Sequence, residues 1–328
     1  MLSGLFSMTP TNRYKPDPSV REFASGGLMK DRIIVAWYET QYHMISLSKK
    51  TNWLASSDVV HPVGLKLPEF LAKSQYQSPE NPYAGPFQFT FQTSDHCFTW
   101  LKNHPVQQSA FNGLMQSTIQ NRPSRWFENF PAADRFQRFR ESTAGHETLQ
   151  LVDIGGGIGH DILGLTKHLP DLHANFILQE TPQVLDNMLA ELHALSAEKQ
   201  TIQPMPHDFF GVQPVTGAHV YFLGRVLHTW PNSQCRRILA HIKEAMTQDS
   251  LLLIHDRVFP DTTTASDLSR SDTAADFIMM VLHTAMERSE AQFADLLASA
   301  GLRLVAVWKP QGKKDSMERV LEAVRDEQ

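Results

Sequence analysis

Four glycines in five positions stand in the run Asp153-Ile-Gly155-Gly156-Gly157-Ile-Gly159-His160. Backbone without side chains can turn tightly and lie close to a ligand, and a helix beginning there offers unpaired N–H groups and the positive end of its dipole. The dinucleotide fingerprint G-x-G-x-x-G is not met: counted from Gly155, its third glycine falls on His160. Glu180 follows the apolar run FILQ, at about the 20-residue distance where an acid meets ribose hydroxyls. Alone, Glu180 reads as an exposed loop acid and the glycines as the packing of a strand–helix turn. At this spacing the pair favours a nucleoside-bearing ligand. Asp208-Phe209 suits an adenine, the carboxylate accepting from the exocyclic amine and the ring stacking on the base; a turn-forming Asp before a buried Phe pair is the equal alternative.

Proton chemistry has its own candidates. His228, in LGRVLHTWP, lies just after the apolar run VYFL, where a neutral imidazole can take a proton from a hydroxyl. Asp256, at the end of LLLIHD, and Glu287, in AMERS, can orient it. Read alone, Asp256 equally caps a strand and Glu287 equally flanks a helix start. Metal chemistry finds no H-E-x-x-H and no cluster of two histidines with a carboxylate at ligand spacing. A G-x-S-x-G elbow and a P-loop are missing as well. Met279-Met280, in FIMMVLHTAM, reads as core helix whose end can line a substrate pocket.

These residues need strand ends to carry them. Beyond residue 148, short apolar runs alternate with amphipathic segments: LQLVDI (149–154), IGHDILGLTKHL, NFILQ, a helix from Val184 to Leu195, VYFLG (220–224), a helix from Ser233, LLLIHD (251–256) and LRLVAVW (302–308). Cys235, Ile238, Leu239, Ile242 and Met246 share one helical face. Ser289 and Gln292 form a capping-box signature, with Gly301 marking the end of that helix. Such alternation predicts an α/β fold, a mostly parallel, doubly wound sheet with ligands at the carboxyl ends of its strands. Residues 1–130 instead carry most of the Trp and Pro punctuation and read as short helices broken by turns. The charged stretch 134–147 reads as a connector.

Composition sets the outer bounds. The chain has 328 residues, 41% of them apolar and 20% charged, with a formal net charge of −5. That is enough apolar material for a core, and the mild acidity argues against a nucleic-acid partner. No apolar run approaches a membrane span, and the N-terminal residues lack a signal layout, so the expectation is a cytoplasmic protein. Two cysteines exclude a disulfide scaffold.

The pattern D-x-G-x-G-x-G fits S-adenosylmethionine (SAM)-binding enzymes better than dehydrogenases. Taken together, VDIGGGIGH, FILQETPQV, MPHDFF, VYFLGRVLHTWP, LLLIHDRVFP and ERSEAQFADLLASAGL resemble, in order and spacing, the class I SAM-dependent O-methyltransferase family of plants and fungi, the caffeate-type small-molecule enzymes. The resemblance covers roughly residues 85–310, and GPFQFTFQTSDHCFTWLKNHPVQQSAFNGLM is similar to the fungal branch in particular. It implies a Rossmann-like catalytic domain at 141–328 behind a mostly helical N-terminal dimerisation and substrate-lid region at 1–140, a shortened form of the family's winged-helix part. DRIIVAWYETQYHMISL would retain part of the dimer interface. By the same resemblance Asp153, Gly155, Gly156, Gly157 and Gly159 hold the methionine and ribose of SAM, and Glu180, where the family usually has Asp, binds the ribose hydroxyls. Asp208 and Phe209 hold the adenine, and Arg225 lies near the cofactor. His228 is the general base, with Asp256 and Glu287 positioning it. Met115, Trp126 and Phe130 front the substrate pocket, with Met279 and Met280 beside it. The implied reaction is methylation of a hydroxyl on a phenolic or polyketide-like secondary metabolite, releasing S-adenosylhomocysteine, in a homodimer with no metal. Where the family has His-Asp at the base, this chain has His228-Thr229. That departure keeps two alternatives open: a SAM-bound pericyclase or dehydratase on the same fold, and a non-catalytic SAM-binding pseudoenzyme.

Overall fold

The computed structural model describes residues 6–8, 14–16, 56–120, 122, 125–141, 148–186, 200–261, 270–310 and 316–326. It divides into two units, each assembled from separate stretches of chain. One comprises 1–121, 228–231 and 260–287; the other comprises 122–227, 232–259 and 288–328. The segment 31–47, with its expected interface helix, lies outside the described residues.

The second unit holds the sheet. Each run expected as a strand is one: β3 (Leu149–Ile154), β4 (Ala174–Glu180), β6 (Val220–Gly224), β7 (Leu251–Phe259) and β9 (Leu302–Trp308). Three strands complete it: β5 (Gln200–Pro206), the two-residue β8 (Arg288–Ser289) and β10 (Glu318–Arg325). The order is β5-β4-β3-β6-β7-β10-β9, with β8 on β7. The pairs from β5 through β7 are parallel, and β10 runs antiparallel to both its neighbours.

Side-chain alternation along a strand explains why both faces need cover. On one face Leu149, Leu151, Phe176, Leu178, Val220, Phe222, Leu251 and Leu253 join a single core. That core also takes Trp126, Phe127 and Phe130 from the segment around α5 (Trp126–Asn129), Phe136 and Phe139 of α6 (Ala132–Glu141), and Ile162 and Leu165 of α7 (His160–His168). The charged stretch expected as a connector is therefore helical through Glu141, because its two phenylalanines are drawn into this core; 142–147 lie outside the described residues. The intervening residues Val152, Tyr221, Leu252 and Leu321 are equally buried. Tyr221 Oη donates to the carbonyl of Ala245, the last residue of α8 (Asn232–Ala245), whose inner stripe is Cys235, Ile238, Leu239 and Ile242. The capping box of α10 (Glu290–Ala298) forms as expected, Ser289 N–H donating to Gln292 Oε1 at 2.8 Å. A mostly parallel sheet covered on both faces is the expected doubly wound Rossmann-like arrangement.

The first unit is mostly helical in its described part. It holds α1 (His61–Lys73), α2 (Pro86–Phe91), α3 (Cys97–Lys102), α4 (Pro105–Gln120) and α9 (Arg270–His283), besides the short antiparallel pair β1 (Phe6–Met8) and β2 (Tyr14–Pro16). Val59, Val63, Leu67, Phe87, Leu101, Met280 and Val281 belong to its separate core. Among the described residues no helix is long and apolar enough to cross a membrane.

Candidate active site

At the carboxyl end of β3 the glycines do what their residue type allows. Gly155, Gly157 and Gly159 take φ of +71°, +58° and +75°, the left-handed region that disfavours any side chain. Gly156 is required by space instead, since a Cβ there would lie 2.4 Å from both Asp153 Oδ2 and Leu178 Cδ1. A Cβ on Gly155 would meet Val226 at 3.1 Å and the Phe209 ring at 3.5 Å, which places Phe209 against the turn. A Cβ on Gly157 would meet nothing within 4 Å, so this stretch of backbone faces open space.

Asp153 is fully buried, and among the described residues neither carboxylate oxygen has a hydrogen-bond partner. Burial, reinforced by the like charges of Asp161 and Glu180, raises its carboxyl well above the usual carboxylate range; Arg122 acts in the other direction. Arg122 Nη1 is 3.2 Å from Asp161 Oδ1. Glu180 closes β4 and accepts from the Thr181 N–H at 2.6 Å. Asp208 folds into an Asx turn, its Oδ1 accepting from the Phe210 N–H at 3.0 Å. Asp153, the glycines, Glu180 and Phe209 thus meet at one end of the sheet. Sequence reasoning missed Asp161 and Arg122. One further residue along the glycine motif would have found Asp161, an acid in the first turn of a helix; Arg122 has no such local sign.

Arg225 follows β6 at φ +57°, its N–H donating to the His255 carbonyl at 2.9 Å. Its guanidinium pairs with Glu318 of β10, and Glu318 also faces His255 Nε2 at 3.2 Å.

The proton-transfer candidates divide between the units. His228 belongs to the first unit and lies in a 3-10 turn (Leu227–Thr229), its Nδ1 3.0 Å from Glu287 Oε1, with both residues buried. The Glu287 backbone N–H donates to Asp276 Oδ1 at 2.8 Å, so a buried side chain of α9 fixes the residue that holds the histidine. Asp276 was not legible beforehand, because its partner is 11 residues on and in no shared periodic pattern. A proton on Nδ1 is needed to donate to the carboxylate, which leaves the Nε2 lone pair as the free base position. Asp256 belongs to the second unit, fully buried in β7 opposite Arg319.

Of the expected pocket residues, Met115 is exposed on α4, while Met279 and Met280 pack in the first core. Trp126 and Phe130 are each 1% exposed in the second core, Trp126 lying 4.6 Å from the Phe222 ring between centroids. Among the described residues no group of three or more His, Cys, Asp or Glu could hold a metal ion.

An O-methyltransferase domain is matched over residues 79–303. The chain is 34% identical over 253 residues to O-methyltransferase mfmE of Annulohypoxylon moriforme, covering 77% of this chain and 59% of that protein. It is 32% identical over 248 residues to a demethylsterigmatocystin 6-O-methyltransferase of Aspergillus flavus, covering 76% and 59%. Two solved structures, one described as a pericyclic reaction enzyme and one as LepI in complex with SAM, each align at TM-score 0.72 and 27% identity over 98% of this chain, covering 74% and 73% of theirs. The chain spans about three fifths of the length of the curated relatives it matches. The match across most of the chain, on a fold and glycine turn of this form, establishes that the chain belongs to the O-methyltransferase domain family.

Proposed function

We propose that the protein is a SAM-dependent O-methyltransferase acting on a hydroxyl of a phenolic or polyketide-like secondary metabolite. The observation that carries the reading is the His228–Glu287 bond of 3.0 Å, which fixes a buried imidazole with its Nε2 free to accept a proton. The sheet end supports a SAM site: a buried carboxylate without partners needs a cationic or N–H donor, and the glycine turn presents open backbone. Asp153 and Gly155 to Gly159 would hold the methionine and ribose portion, Glu180 the ribose hydroxyls, and Asp208 and Phe209 the adenine, with Arg225 nearby. When bound, SAM supplies an electrophilic methyl group and leaves as S-adenosylhomocysteine. A phenol has a pKa near 10, about that of tyrosine, and is a poor nucleophile at neutral pH. His228 removes its proton at Nε2, and Glu287 holds the tautomer and ring direction that this requires. By resemblance alone, Asp256 keeps a positioning role, and Met115, Trp126, Phe130, Met279 and Met280 keep their places in the substrate pocket. A cytoplasmic homodimer completes the proposal.

The solved structure described as a pericyclic reaction enzyme, together with Thr229 in place of the family's Asp, supports a second reading: SAM held without methyl transfer. Incubation with SAM and a panel of phenols separates the two. The expected result is S-adenosylhomocysteine formation, reduced about 100-fold or more in His228→Ala. SAM binding without that product across the panel overturns methyl transfer in favour of the second reading.

A further inference from the structure

Of the other histidines in the first unit, His96 and His283 are buried and take no part in the proposed proton transfer. His96 caps the start of α3, its Nδ1 accepting from the Phe98 N–H at 3.4 Å. An Nδ1 that accepts carries no proton, and burial pushes this imidazole down to about 4, so at neutral pH the ring is uncharged. Its one N–H is therefore at Nε2. That atom is buried and has no hydrogen-bond partner among the described residues. His283 closes α9 at 2% exposure, and its Nδ1 is likewise buried with no partner among the described residues. Burial holds it uncharged, and both His96 and His228 are close enough to act on it electrostatically.

The rings form one patch. His96 and His283 centroids are 5.5 Å apart, and Trp230, two residues after the base, stacks on His96 at 4.2 Å and 17°. Phe98 lies 4.8 Å from His283. One face of His96 is thus closed by an indole, and the rings of Phe98, His283 and Tyr83 lie 5.2, 5.5 and 6.3 Å from it. A buried imidazole N–H is seldom left unpaired, so His96 Nε2 needs a partner that the described residues do not provide, and His283 Nδ1 can share that partner when it carries its ring's proton.

We propose that His96 and His283 are specificity-determining residues that bind a second oxygen of the acceptor, a carbonyl beside the hydroxyl that reacts at His228, and so select hydroxyaryl ketones and quinones over simple phenols. The identity of the reacting hydroxyl rests on the methyl-transfer reading; recognition of the carbonyl does not.

The test compares 1-hydroxyanthraquinone with 1-hydroxyanthracene, similar in shape but differing in the ring carbonyls. Binding to the SAM-loaded protein is measured by titration, with S-adenosylhomocysteine followed in parallel. The wild type is expected to bind the quinone about tenfold or more tightly, since a site built to pair with an oxygen discriminates against its absence. His96→Phe and His283→Phe should bring that ratio below about twofold, while His96→Gln, which restores an N–H, recovers most of it. Equal affinities in the wild type, binding of neither compound, or an unchanged ratio in both Phe variants overturns the proposal, the last being the outcome if a buried water fills the patch. A ratio that collapses without any S-adenosylhomocysteine leaves carbonyl recognition standing and overturns methyl transfer. Product formed with an unchanged ratio does the reverse.

Discussion

A carboxyl group with no exposed surface and no hydrogen bond to either oxygen resists ionisation, and Asp153 is such a group. Its folded-state pKa lies above its unfolded one, so between the ordinary aspartate value near 4 and the raised value the folded chain holds a proton that the unfolded chain has lost. The folded state is favoured most at the acid side of that window, and this contribution falls as pH rises through it. Asp153→Asn has no such proton to lose. Without ligand, the variant should gain stability relative to wild type as pH climbs from about 4, by at most about 1.4 kcal/mol per unit, as thermal melts at several pH values will read. Its affinity for SAM should meanwhile fall about tenfold or more, since a bound cation favours the ionised carboxylate and an amide has no charge to offer it. A stability difference that does not change with pH would contradict this account. Asp153 was legible because it opens a glycine motif. His96, His283 and Asp276 were not, since their meaning lies in partners that only tertiary structure supplies.

Among the strands of the sheet, five announced themselves as apolar, β-branched runs; the two-residue β8, β5 and β10 did not. β5 (Gln200–Pro206) contains Pro204 and Pro206, which argue against a central strand; it sits at the sheet edge, bonded to β4 alone, where proline is tolerated. β10 carries Glu318, Arg319, Glu322 and Arg325, a charge spacing that imitates a helix surface. It is instead inserted between β7 and β9, with Glu318 and Glu322 almost fully buried. Ion pairs make this possible: Glu318 with Arg225, and Glu322 with Arg135 while also accepting from Trp308 Nε1 at 3.0 Å. Breaking such a pair from one side is costly because the remaining charge stays out of water. Glu318→Ala should therefore lose about 3 kcal/mol in urea unfolding, with Glu318→Gln losing less. A loss below about 1 kcal/mol would show the strand to be held by its apolar residues alone.

At the scale of the whole molecule, each unit carries one thiol: Cys97 in the first, Cys235 in the second, both buried and reduced. Burial raises both thiols above their ordinary range, so neither offers a thiolate while folded. Iodoacetamide labelling across a denaturant series, read peptide by peptide, makes them separate reporters. Because the first unit takes in 228–231 and 260–287, it cannot be completed until the chain has passed through much of the second. Both thiols should become reactive at one common midpoint. Two midpoints would show that the units unfold independently. Residue types gave no sign of this interleaving, since chain order marks neighbours in sequence and not a later return to an earlier unit.

That interleaving also decides how the protein can be recombined. An exchange of residues 1–121 with those of a relative would transplant only the first of three stretches, leaving His228, His283 and Glu287 on the recipient's side of the breakpoint while His96 came from the donor. On the proposed reading, a hybrid that inherits one parent's substrate preference intact needs all three stretches moved together, including the four residues 228–231 that carry His228 and the indole stacked on His96.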